Sequence, residues 1–468
     1  MELDVLHHGS AIRLDGRVIP LCALWPGARE SHRLLKARKL PDKTFELRMS
    51  NGDSKLLPDT VFLSPPLLIE NISQLLTCAD EEGVGLLEDV SVFCRGGRVE
   101  EVIPAGSRLS HSQREGVQVL DGRGCVVTPG LVDPHTHPVF AGQRSVEFGL
   151  KAAGATYLEI HKAGGGIQST VDATRAASFE ALEAQCWRNL SRLLSWGVTT
   201  CEGKSGYALE TEGELRLLEV LRSVSQRHPI DVIPTLLGAH SVPREYRERR
   251  EDYLAQVIHE MIPRAASEGL ARYCDVYCEE GAFTLEETER VFAAAQNAGL
   301  GLRLHAEQFT DQGGTALAAH MGAASVDHLE AITPDSIAAL AKSQTHAVLL
   351  PGAALSCRAP WPPATALVDA GVPIALGTDF NPGSSMTASL PLMMSLACMQ
   401  MGISVELAWR AVTVESARSL GLKDVGQIIA GYQADLVIFD APDYRYIPYH
   451  YGENHVRTVI KGGQVVSC

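Results

Sequence analysis

From Thr128 onward the chain repeats one pattern eight times: a short apolar run, then in most cases a helical stretch. The runs lie at residues 130–133, 199–203, 231–236, 275–278, 302–305, 324–327, 347–350 and 374–378. Strand-like runs alternating with helical segments, such as residues 180–195 and 285–297, signal βαβ units whose strands lie parallel in one sheet. Eight units predict an α/β fold of the (β/α)8 TIM-barrel type. An open doubly wound sheet produces similar runs, so the count alone leaves both architectures standing.

Short strands flank this region. Residues 67–72, 90–94 and 99–103 precede it, and residues 434–440 and a hairpin over 456–466 follow it, turning at Lys461-Gly462-Gly463. They predict a small β-sandwich domain assembled from residues 67–127 plus 425–468, with the barrel spanning 128–424. Residues 1–66 are an N-terminal extension with no role indicated. Within it Phe45 to Met49 followed by Ser50-Asn51-Gly52-Asp53 reads as a strand entering an Asn-Gly turn.

Charge and hydropathy narrow the function classes. With 41 Lys and Arg against 56 Asp and Glu, the formal charge is −15, and no basic run occurs. Nucleic acid is therefore not an expected partner, and an anionic ligand has to be small and held by local cations. No stretch reaches the roughly 18 apolar residues of a membrane span. The most apolar one, 390–401, is interrupted by Pro391 and Ser395 and reads as a buried helix. The first ten residues lack the order of a signal peptide. The 11 cysteines are odd in number and scattered without a CxxC pair, a pattern of reduced thiols and a cytoplasmic location.

The chemistry gathers at strand ends. His135-Thr136-His137 follows the first run, and residues i and i+2 of a strand share a face and can share one ion. Alone, the pair is equally a polar strand end. His305 ends the fifth run, His328 follows the sixth and Asp379 closes the eighth. Barrel enzymes keep their catalytic groups at the C-terminal ends of strands. Three imidazoles and a carboxylate suit Zn²⁺ or iron with a position open for water, which points to a metal-dependent hydrolase.

The motifs add a resemblance. Pro129-Gly130-Leu131-Val132-Asp133-Pro134-His135-Thr136-His137 resembles the first-strand motif of the amidohydrolase superfamily. Phe140-Ala141-Gly142-Gln143-Arg144, the segments 154–160 and 163–167, and Lys204-Ser205-Gly206-Tyr207 resemble its imidazolonepropionase family. So do Gly238-Ala239-His240, Cys278-Glu279-Glu280-Gly281-Ala282-Phe283 and Thr378-Asp379-Phe380-Asn381-Pro382-Gly383-Ser384. The likeness runs in order from about Leu67 to Val466. Ala208 and Glu210 depart from it, where the family usually has glycine and often aspartate.

The resemblance implies one metal ion per chain, Zn or Fe, on His135, His137, His305 and Asp379. It implies substrate contacts from Arg144, Tyr207, His240, Gln308, Asn381, Gly383 and Ser384. His328, Asp379 and Gln308 are the implied catalytic residues, with the order of proton transfer between His328 and Asp379 left open. Lys204 raises the idea of a carboxylated lysine bridging two metals. It stands at the exit of strand 2, whereas related binuclear enzymes take their bridge from strand 4, so one metal is expected. The Gly164–Gly166 run has no phosphate-loop context and reads as a mobile loop.

The implied reaction is hydrolysis of 4-imidazolone-5-propanoate to N-formimidoyl-L-glutamate in histidine degradation, and a homodimer is possible for such a family. The competing enzyme reading is a mononuclear aminohydrolase acting on guanine or cytosine. Arg144 and the Tyr207/His240 pair suit an acid-tailed ring better than a neutral base. A catalytically dead scaffold would have lost metal ligands, and none of the four is missing.

Overall fold

A parallel strand buried on both faces needs helices outside and side chains inside, and this chain supplies both along most of its length. A computed structural model describes residues 65–466, except 82, 108, 111–113, 115 and 155–164, and six short strands before residue 59. The strands of the main sheet are β1 (Leu131–Asp133), β2 (Val198–Lys204), β3 (Asp231–Ala239) and β4 (Tyr273–Cys278). They continue as β5 (Gly301–Ala306), β6 (Ser325–His328), β7 (His346–Leu349) and β8 (Ile374–Leu376). Each pairs parallel with its successor, so the order is sequential throughout. A doubly wound sheet would reverse its order part-way; this one runs on to near closure, as a barrel. All eight expected runs are strands, with small shifts at their ends.

Side-chain and backbone bonds draw β1 and β8 together. Thr378 donates from its N–H (3.1 Å) and Oγ1 (2.6 Å) to the Asp133 carboxylate. Asp379 N–H donates to His135 O and His137 N–H to Phe380 O, both at 3.0 Å. The closing seam thus runs beside the His135/His137 pair.

The helices follow their apolar spacing. Phe179–Ser195 starts at Ser178, whose side chain accepts from Ala181 N–H, and it buries Leu182, Cys186, Leu190 and Leu193 on one face. Leu285–Asn297 opens with a capping box between Thr284 and Glu287. Leu390–Met401 is the expected buried helix; Ser395 Oγ donates to Pro391 O and Pro448 O instead of breaking it.

The flanking strands join in one sheet. Its order is Gln464–Val466, Val456–Lys461, Leu436–Phe439, Val126–Pro129, Leu67–Leu76, Leu86–Arg95, Arg98–Ile103, with Gln118–Asp121 also against Leu67–Leu76. Strands from before and after the barrel region therefore meet at the Val126–Pro129 to Leu436–Phe439 pairing. In the N-terminal extension Thr44–Met49 pairs antiparallel with Leu34–Lys39 and Ser54–Pro58. The Asn-Gly turn expected at 50–53 lies outside the described residues, as do 155–160, Ala163 and Gly164 of the family-like segments. Among the described residues no helix is long and apolar enough to cross a membrane, and Cys78, Cys94, Cys125, Cys186, Cys201, Cys274 and Cys278 are buried free thiols.

Candidate metal centre

The strand ends converge. His135, His137 and Asp379 have donor atoms within 4.8 Å of one another, and so have His135, His305 and His328. His135 Nε2 and His137 Nε2 lie 3.4 Å and 3.6 Å from the same oxygen, Asp379 Oδ1. The His305 ring centroid is 4.5 Å from that of His135 and 5.7 Å from that of His137. All four expected ligands are buried.

These residues fit a metal ion. His135 Nε2 is buried without a hydrogen-bond partner, and its distance to Asp379 matches the roughly 3.4 Å edge between ligands sharing one tetrahedral ion at ~2.1 Å. Burial pushes the His135 imidazole down to about 4 and His137 well below its ordinary value. Both rings are therefore neutral at pH 7, the state that offers a lone pair to a cation.

Behind the histidines lies a layer that the sequence reading missed. His135 Nδ1 meets Asp327 Oδ2 at 2.6 Å, and His305 Nδ1 meets Asp275 Oδ2 at 3.0 Å. Carboxylates on the far nitrogens fix tautomer and ring orientation and raise ligand basicity. The carboxylates are held in turn by Lys204, whose Nζ is 2.6 Å from Asp275, 2.8 Å from Glu202 and 3.5 Å from Asp327. Arg303 Nε is 2.8 Å from Glu202, and its guanidinium donates to Pro134 O and Ser419 O. All five side chains are fully buried. Burial alone would discharge Lys204, but Asp275, Glu202 and Asp327 reverse that and push its amine above the ordinary lysine value. The signal was present in the strands: Glu202 and Lys204, Arg303 and His305, and Ser325 and Asp327 are i, i+2 pairs aimed at the barrel interior.

His328 comes as close to His135 and His305 as a ligand does, with centroids at 5.7 Å and 5.5 Å. Its Nδ1 is 3.6 Å from Glu330 Oε1. It ends β6 at φ 88°, and Asp379 follows β8 at φ 49°. Non-glycine residues in this region carry strain of order 1–3 kcal/mol, held where a site needs it.

The remaining expected residues line the same mouth. The His240 ring stacks on that of His137 (5.5 Å, 20°), and Tyr207 is edge-on to His240 at 5.4 Å. His240 Nδ1–H donates to Gly206 O at 2.8 Å, leaving Nε2 as the acceptor. Glu214 takes the backbone N–H groups of Gly206, Ala208 and Leu209, so the loop bearing Tyr207 is rigid and Ala208 fits it. Gln308 Oε1 accepts from Tyr277 Oη at 2.8 Å.

Asn381 is engaged within its own loop. It donates to Asp379 O and Ser384 Oγ and accepts from Gly383 and Ser384 N–H. Ser384 Oγ donates to Asp379 Oδ2 at 2.9 Å. Arg144 is no solvated surface arginine. Its side chain is 11% exposed and its Nε donates to Glu147 at 2.9 Å. A Cβ on Gly383 would fall 2.6 Å from Arg144 Nη1, so the guanidinium end lies close against this loop.

Comparisons with known proteins agree with this geometry. The Amidohydrolase family profile matches residues 149–467. The imidazolonepropionase of Myxococcus xanthus (strain DK1622) is 45% identical over 406 residues, covering 85% of this chain and 96% of that one. That of Geobacillus kaustophilus (strain HTA426) is 44% identical over 414 residues, covering 86% and 98%. The chain belongs to the imidazolonepropionase family. Members of this family are amidohydrolases, and the chain is accordingly a hydrolase acting on C–N bonds. Among solved structures, N-isopropylammelide isopropylaminohydrolase from Burkholderia multivorans superposes with a TM-score of 0.64 at 21% identity, covering 86% of this chain and 98% of that one. An adenosine deaminase from Xanthomonas campestris, solved with bound zinc, gives 0.61 at 20% identity, covering 85% and 92%. Those two likenesses establish the fold.

Proposed function

We propose that this imidazolonepropionase family chain hydrolyses 4-imidazolone-5-propanoate to N-formimidoyl-L-glutamate, opening a cyclic amide C–N bond in histidine degradation. The observation that carries it is the set His135, His137, His305 and Asp379 at the barrel mouth, beside a half-sequestered Arg144. One cation, zinc or iron, would be held by those four side chains. When bound it supplies Lewis acidity toward water and toward a carbonyl oxygen. Asp379, whose Oδ2 accepts from Ser384 and whose Oδ1 lies beside His135 and His137, takes the proton of the attacking water. His328, braced by Glu330, returns a proton to the leaving ring nitrogen. Tyr207, His240 and Gln308 enclose the ring. Asn381 and Ser384 act through the loop that aims Asp379. Turnover of imidazolone propionate against guanine, with metal counted per chain, tests the reading; guanine as the sole substrate would overturn it.

His328→Asn is expected to lower kcat by about 10²–10⁴-fold, the range for general acid–base help, with metal content unchanged. A variant purified without metal would place His328 among the ligands instead.

Arg144 would take the substrate's propionate through the guanidinium edge facing Gly383, with Glu147 fixing the other side. A planar fork matches a carboxylate bidentately, and a chain of charge −15 needs a local cation to admit one. Arg144→Met is expected to weaken kcat/KM by about 2–4 kcal/mol, the scale for leaving a buried charge unpaired, and Arg144→Lys to recover part. An analogue without the carboxylate should be indifferent to the change. Equal losses on both compounds would make Arg144 a structural residue.

The same reading divides the chain into a barrel of residues 128–424 and a composite β domain of 67–127 plus 425–468, of sandwich type. The shared apolar core of Leu67, Ile72, Val92, Ile438 and Ile460 supports it. The buried thiols fit a cytoplasmic setting, and the same reading allows a homodimer.

A further inference from the structure

Away from the barrel mouth, one other group of ligand-type side chains converges among the described residues. His450, Glu453 and His455 have donor atoms that all lie within 4.8 Å of one another. We propose that they form a second, peripheral site for a divalent transition-metal cation of the zinc class.

The local chain builds this arrangement. The short helix Tyr446–Tyr449 ends at His450, Gly452 reverses the chain at φ 91°, and the strand Val456–Lys461 begins just past His455. The Tyr446 ring stacks on His450 at 3.8 Å and meets His455 edge-on at 5.2 Å. Both imidazoles are thus held by one aromatic face before any ion arrives, which lowers the ordering cost of binding. Asn454 does not compete, because it donates to Ser195 O and accepts from Val456 N–H.

A ligand would resolve a polar deficit here. His455 Nε2 is buried with no hydrogen-bond partner, and a buried lone pair without a partner is costly. Glu453 Oε2 is 4.0 Å away. That is too long for a hydrogen bond. It is close to the roughly 3.4 Å ligand–ligand edge of a tetrahedral site, so a shift of under ~1 Å would seat an ion. The Glu453 side chain is 70% exposed, which opens the site to solvent. Two imidazoles and one carboxylate favour zinc and its neighbours over Mg²⁺ or Ca²⁺, which prefer all-oxygen shells.

The site lies at the far end of the barrel from the first. Asn454 bonds Ser195, the last residue of the helix that feeds the start of β2, whereas the catalytic set occupies strand C-termini. An ion there would tie the helix Tyr446–Tyr449, anchored to the barrel helix Leu390–Met401 through Ser395 and Pro448, to the outer sheet. Its effect falls on stability and not on turnover.

Equilibrium dialysis of the metal-loaded enzyme against Zn²⁺, with elemental analysis, tests this. The native chain should take up one zinc beyond its tightly held metal and gain unfolding temperature as it does. Removing a ligand should weaken uptake at least as much as losing an outer-shell partner does, about tenfold or more. The exposed Glu453→Gln should do so while keeping kcat, and His450→Gln with His455→Gln should abolish the extra zinc. If Glu453→Gln and the double variant bind the extra zinc as the native chain does, or if the native chain takes up none, the site does not exist.

Discussion

Asp379→Asn is expected to cut turnover about 10⁴-fold, the upper end of general acid–base effects, because the proposed mechanism gives this one residue two roles. Its Oδ1 faces His135 and His137 at 3.4 Å and 3.6 Å, and its Oδ2 accepts from Ser384. A neutral amide is a poorer ligand and cannot accept a proton. Chelation should act alike: activity is lost while the fold persists, because the proposed ligands sit at strand ends outside the packed body of the barrel. Circular dichroism with metal analysis and single-turnover kinetics checks both. Full turnover by a verified metal-free sample would remove the metal from the mechanism.

The largest expected effect on stability comes from Lys204→Met. The amine stands between Asp275, Glu202 and Asp327 with no exposure to water. Without it three buried carboxylates share the single guanidinium of Arg303. Removing one partner from a buried ion cluster costs about 3–5 kcal/mol, since the remaining charges stay dehydrated and uncompensated. The variant should unfold at markedly lower denaturant. It should also bind metal more weakly, because Asp275 and Asp327 orient His305 and His135. An unchanged unfolding midpoint would mean that the cluster does not depend on Lys204.

Lys204 also shows where sequence reading stopped. Its place in the sequence raises a bridging carbamate, and its strand number argues against one. In the fold it is a charged amine with three carboxylate partners. What bears on the fold was local and therefore legible. Eight apolar runs with helical intervals became eight strands in sequential order, because hydrophobic periodicity and strand length are short-range properties. The residues His135, His137, His305, His328 and Asp379 were legible for the same reason, each marking the C-terminal end of such a run. Tertiary structure alone decided what lies behind them. Glu202, Lys204, Asp275, Arg303 and Asp327 sit on four strands, from residue 202 to residue 327, and a run that reads as apolar hides one or two charges among its neighbours. Only closure of the barrel turns those positions inward together, and only then do opposite charges offset the dehydration that would make each alone untenable. The Arg144 side chain is placed in the same way: its approach to Gly383 joins the loop after β1 to the loop after β8, a pairing that no local pattern encodes.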